Sequence, residues 1–212
     1  MQIRTITLAI AALAALSACG SSKEASKANF AKAIDAHYAA NCAAFDFSMG
    51  TRLFAKFSDG GGFPVSVADG IEAGHPEKHM GAPFEAIEKV GLLTSKPTEV
   101  QAGLFGAKLP GKEYSLTDAG TKALSKPGRS SFCVGHRKVD EVVQFSEPSS
   151  GMGQTVSQAK YTYTVVDVPA WANDPAVRAA FPELAEVLKP KKEARVDLVL
   201  MNDGWEAQPS AF

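Results

Sequence analysis

The chain has 212 residues, 45% of them hydrophobic and 21% charged, with 22 Lys and Arg against 23 Asp and Glu. This is the composition of a folded globular protein long enough to bury a real core, and it excludes a disordered or fibrous chain. The balanced charge gives no electrostatic basis for a polyanionic partner, because nucleic-acid binders concentrate positive charge, so no nucleic-acid partner is expected.

Residues 1–18 read as an export signal: Arg4 is the positive region, residues 6–16 are an Ile/Leu/Ala-rich core, and small residues follow. The apolar run is too short for a permanent transmembrane helix, which needs roughly 20 residues. It closes as Leu16-Ser17-Ala18-Cys19. That tetrad resembles the lipobox of bacterial lipoproteins, in which the cysteine carries the lipid and becomes the first mature residue. The resemblance implies membrane attachment through lipidated Cys19 and a mature chain of 212 − 18 = 194 residues. Gly20 after the cysteine, rather than aspartate, resembles the outer-membrane sorting signal of Gram-negative lipoproteins. It implies a periplasmic body on the inner face of the outer membrane. An ordinary cleaved signal with a chance cysteine is the alternative reading.

With Cys19 assigned to the lipid, Cys42 and Cys133 remain. In an oxidising compartment they are expected to form a disulfide, the alternative being two separate buried thiols. Residues 19–27 are small and polar, a short tether that keeps the body close to the membrane. Phe30, Ile34, Tyr38 and Cys42 then recur every four residues among alanines, which predicts an amphipathic helix over 26–45 with Cys42 on its apolar stripe.

The run Ser58-Asp59-Gly60-Gly61-Gly62 breaks regular structure and leaves residues 63–68 as a short strand. Pro83 opens a helix with Phe84, Ile87, Val90 and Leu93 on one face. The turn Gly91-Leu92-Leu93, a glycine-bearing loop, Tyr114-Ser115-Leu116-Thr117-Asp118-Ala119-Gly120 and Ala123-Leu124 follow. Residues 84–124 so arranged resemble the second half of a winged-helix domain. The resemblance implies a helix, a β-wing and a second helix, and Thr117 is placed to cap the helix that starts at Asp118. It does not imply DNA binding: the wing has only Lys108 and Lys112 as basic residues, and an exported protein never meets the chromosome.

From residue 131 the period changes to two. Val139, Glu141, Val143 and Phe145 mark one strand, Ala159, Tyr161, Tyr163 and Val165 a second, and Val196, Leu198 and Leu200 a third. Residues 149–153 connect the first two as an antiparallel hairpin. Asn173-Asp174-Pro175 starts a helix with Val177, Phe181, Leu184 and Leu188 on one face, which Pro182 should split. The expected fold is α+β: a mainly helical, winged-helix-like lobe over 28–130 and an antiparallel sheet lobe with a packed helix over 131–212.

Candidate chemistry is sparse. His75 and His79 are four apart, but Pro76 stands where H-E-x-x-H needs glutamate, so they are weak zinc candidates and no metal or cofactor is expected. Ser157-Gln158-Ala159-Lys160 matches S-x-x-K, yet on a strand residues three apart face opposite ways. A Cys133/His136 dyad would be blocked by the disulfide. Tyr161, Tyr163, Trp171 and Trp205 are an aromatic set expected in packing or along a ligand groove. The leading expectation is a lipid-anchored, non-catalytic envelope module that binds a protein or envelope component. The rivals are a small hydrolase using Asp59, His75, His79 or His136, and an immunity or inhibitor protein.

Overall fold

The computed structural model describes residues 21–48, 55–57, 62–70, 79–101, 107–151 and 153–208. The signal segment, Cys19, Asp59 and His75 lie outside them. Helix α1 spans Lys27–Ala39; the Ser26 side chain accepts a hydrogen bond from the Asn29 amide at 3.3 Å, and Phe30, Ala33 and Ile34 form its buried face.

The helix ends well before residue 45. Asn41 Nδ2 donates to the His37 carbonyl at 2.8 Å. The chain then turns into β1 (Ala44–Asp46), which pairs antiparallel with β6 (Ser131–Cys133) and places Ala44 opposite Cys133. Cys42 therefore sits between helix and strand, not on a helical stripe. An alanine-rich periodicity continues smoothly through residues whose backbone polar groups instead pair with a distant segment: the Ala43 amide donates to the Gly135 carbonyl and the Val134 amide to the Ala43 carbonyl, each at 2.8 Å.

Two larger antiparallel sheets flank this junction. In the first half, β2 (Ala55–Phe57), β3 (Val65–Ala68), β4 (Leu93–Gln101) and β5 (Lys108–Leu116) run in the order β2-β3-β5-β4, with α2 (Ala82–Lys89) before β4 and α3 (Asp118–Ala123) after β5. The half expected to be mainly helical thus carries a four-stranded sheet. Along β4 only Leu93 and Val100 are buried, so it shows no alternation from which a strand could be read.

In the second half, β7 (His136–Phe145), β8 (Ser149–Gly151), β9 (Gln154–Val166), β10 (Lys192–Leu200) and β11 (Trp205–Gln208) form the order β11-β10-β9-β7, with β8 also on β9. Ala159, Tyr161, Tyr163 and Val165 face inward along β9, as their alternation predicts.

The helix on this sheet is α1, which packs against β7 and β11. Phe30 meets Phe145 and Trp205 edge-on, with ring centroids 4.8 and 4.9 Å apart. The helix expected there is split at Pro182 into α4 (Pro175–Ala180) and α5 (Glu183–Val187), of which α4 packs instead on α2. Its Phe181 lies 5.5 Å from Phe45 and 4.8 Å from Phe47, ring to ring. Periodicity reveals an apolar face but not the surface that receives it. The two halves exchange helices, and one core runs through Phe30, Phe47, Phe84, Phe132 and Phe181 without a break near residue 130.

Candidate functional site

The most unusual polar arrangement lies where α1 crosses β7. Asp35 on α1 accepts a hydrogen bond from the Val139 amide at 2.8 Å and pairs with Lys138. A register shift in the β7–β9 ladder falls immediately after Val139. This clamp seats Tyr38, one helical turn past Asp35, over the neighbouring β7 residue Arg137. The Arg137 guanidinium carbon is 4.8 Å from the ring centroids of both Tyr38 and Tyr163, within cation–π range. Arg137 Nη1 donates to the Tyr38 hydroxyl oxygen at 3.2 Å, and the buried Tyr161 hydroxyl donates to the same oxygen at 3.2 Å.

The charges explain why the arrangement is notable. Lys27, Lys96, Lys112 and Lys160 each pair with a glutamate, and Lys138 pairs with Asp35. Arg137 is half-buried, yet no carboxylate among the described residues lies within ion-pair distance of it. Buried cations ordinarily have such a partner. Burial works against its charge, but the tyrosine oxygens around it outweigh that effect and move its pKa above the ordinary arginine value, so the guanidinium is charged throughout the accessible pH range. Burial, and then the hydrogen bond to Tyr38, push the Tyr161 hydroxyl well above the ordinary tyrosine range, against the opposing pull of Arg137.

The disulfide staples the two chain segments that carry this cluster. Cys42 and Cys133 are bonded, with Cα atoms 5.6 Å apart. Tyr38, in the last turn of α1, and Arg137, at the start of β7, each stand within a few residues of the bridge. The bridge and the Asp35 clamp therefore fix the α1–β7 crossing from both sides.

The expected aromatic set is divided. Tyr161 and Tyr163 belong to the Arg137 cluster, their rings 6.0 Å apart. Trp171 packs half-buried against Phe132 at 5.8 Å. Trp205 donates its indole N–H toward the Lys23 and Glu24 carbonyls, each at 3.2 Å. Asn29 Nδ2 donates to the Ser21 and Glu24 carbonyls, each at 2.9 Å, so the segment read as a tether is tied to the body.

His79 is exposed just before α2, and its carbonyl accepts from the Ala82 amide. His136 Nδ1 lies 3.9 Å from an Asp167 carboxylate oxygen, with both side chains largely solvated. Ser157 and Lys160 turn to different partners, the buried serine hydroxyl to the Ser146 carbonyl and the lysine to Glu193. Among the described residues, no group of three or more His, Cys, Asp or Glu is placed to hold a metal ion, and no helix is long and apolar enough to cross a membrane.

The four-residue periodicity places Tyr38 on an apolar stripe and singles out neither Asp35 nor Arg137. The available signal was parity: Arg137 shares the inward-facing register of Val139 on β7, an unusual place for a cation. No family model matches the chain, and no curated protein or solved structure shows significant similarity to it.

Proposed function

We propose that the chain is a lipid-anchored protein of the bacterial envelope whose body is a non-catalytic interaction module held close to the membrane. The observation that carries the reading is the docking of residues 21–24. Trp205 and Asn29 hold the Ser21, Lys23 and Glu24 carbonyls against the body, and an extended chain spans at most about 3.6 Å per residue, so the two-residue link lets a lipid on Cys19 reach no farther than about 7 Å from Ser21. Gly20 supports the outer membrane as the destination. Its partner is a protein or an envelope component, and the export signal argues against a nucleic acid.

Residues 84–124 fit the winged-helix-like reading in element order, with α2, the β4–β5 hairpin and α3 following one another. In this reading the unit packs and presents surface rather than entering a DNA groove. Fatty-acid labelling of cells making the wild-type chain or Cys19→Ala tests the anchor. The label is expected on the wild type and absent from the variant, which should also leave the membrane fraction; a variant that is still labelled would overturn the assignment.

A further inference from the structure

We propose that Arg137 and Tyr38 form a receptor for a carboxylate group carried by the partner of this module. The inference rests on reading the body as a binding module but not on the lipid anchor.

The cluster has donors in excess of acceptors. A guanidinium offers five N–H donors and no acceptor. One reaches the Tyr38 oxygen, which also accepts from Tyr161, and another is shared with the Tyr161 hydroxyl, which still leaves the guanidinium with donors to spare. With its oxygen accepting twice, the Tyr38 hydroxyl keeps its own proton to donate. Asp35, the acid at the same α1–β7 crossing, is already engaged by Lys138 and the Val139 amide. A half-buried positive charge beside a spare hydroxyl donor, with no counter-ion among the described residues, calls for an oxyanion from outside.

The charge balance selects the class. One guanidinium and neutral hydroxyls compensate one negative charge, which suits a carboxylate taken up by the planar fork. A phosphate dianion would need a second cation, and Lys138 is already paired. Aromatic rings beside the cation lower the local polarity and strengthen such a pairing. The Cys42–Cys133 bridge and the Asp35 clamp hold the two residues in place beforehand, which reduces the ordering needed on binding.

The test is an NMR titration of the full-length chain in detergent micelles at neutral pH and constant ionic strength, following arginine Nε–H signals as sodium acetate is added. Loss of one signal in Arg137→Lys assigns it. Acetate is expected to shift the Arg137 signal saturably and to leave Arg178 unmoved, because the Arg178 Nε–H that is observed is itself donated to the Ala172 carbonyl and one Nη2–H to Asn173. Tyr38→Phe, which keeps the ring and removes the hydroxyl, should weaken acetate binding roughly tenfold. Inorganic phosphate should bind more weakly than acetate. A linear shift shared with Arg178, an unchanged affinity in Tyr38→Phe, or tighter binding of phosphate would each overturn the proposal. Fatty-acid labelling of Cys19 is independent of all these outcomes, so failure here leaves the anchor standing and failure there leaves the receptor standing.

Discussion

Tyr114 on β5 is fully buried and stacks on Phe84 with ring centroids 5.2 Å apart, yet its hydroxyl has no hydrogen-bond partner among the described residues. An unsatisfied buried hydroxyl costs about 1–3 kcal/mol relative to one left in water. Tyr114→Phe keeps the ring and removes that cost, so it should raise stability by about 1 kcal/mol, read as a higher urea midpoint with an unchanged slope. The same hydroxyl makes the fold sensitive to alkali. Burial first, then the charges of Glu85, Glu88 and Asp69, push its pKa far above the ordinary value of 10.0. The folded state therefore holds its proton more tightly than the unfolded chain. This contribution is complete below about pH 10, where unfolded tyrosine begins to ionise, and fades as pH rises beyond it. Tyr114→Phe should accordingly lose less stability between neutral pH and pH 11 than the wild type; an identical alkaline decline would show that Tyr114 does not titrate with unfolding.

The stretch from Gly91 to Gly120 shows how short sequence signals become elements. Thr117 caps α3 by accepting from the Gly120 amide at 3.0 Å, while its hydroxyl donates to the Gly91 carbonyl at 2.7 Å. Its amide donates to the Leu92 carbonyl at 3.1 Å. One threonine thus fastens the start of α3 to the turn that ends α2. Gly120 is required by the same closeness, because a Cβ there would lie 2.0 Å from the Leu92 carbonyl oxygen. Backbone cannot yield as a flexible side chain does, so Gly120→Ala should cost about 2–4 kcal/mol, whereas Thr117→Ala should cost about 1 kcal/mol through the lost cap. Chemical denaturation of both variants checks the order, and a Gly120→Ala protein as stable as the wild type would mean that α3 sits farther from the turn. The Thr117 cap was legible because capping is local, whereas the fastening to Gly91 and Leu92 joins residues 26 and 25 positions apart and no local window displays it. The strand β4 was not legible either, since Leu93-Thr94-Ser95-Lys96-Pro97-Thr98-Glu99-Val100 owes its conformation to pairing with β5 rather than to its own pattern.

Across the whole molecule, the α+β class, the inward face of β9 and the split at Pro182 follow from periods and breakers that any window of the chain displays. Which helix lies on which sheet does not. Phe30 and Phe181 carry equivalent apolar faces, and only the shapes of the surfaces meeting Trp205 or Phe47 decide where each goes. The Arg137 cluster was illegible for a related reason, because Tyr38 and Arg137 are brought together by the α1–β7 crossing. The bridge that fastens this crossing joins residues 91 apart in sequence, and both halves of the core converge on it through the β1–β6 pair. In the loop-entropy model a closure of this length stabilises the fold by up to about 4–5 kcal/mol. Replacing both Cys42 and Cys133 by Ala should lower the unfolding free energy by about 2–4 kcal/mol, the usual cost of losing a native bridge. Because α1 and β7 are held by the bridge at one end and by Asp35 at the other, amide exchange should rise most in the last turn of α1 and the first residues of β7. Mass-spectrometric exchange on the double variant reads this directly: uniform deprotection would mean that the bridge acts only on the unfolded chain, while local deprotection at Tyr38 and Arg137 would mean that it also holds the crossing in its native geometry.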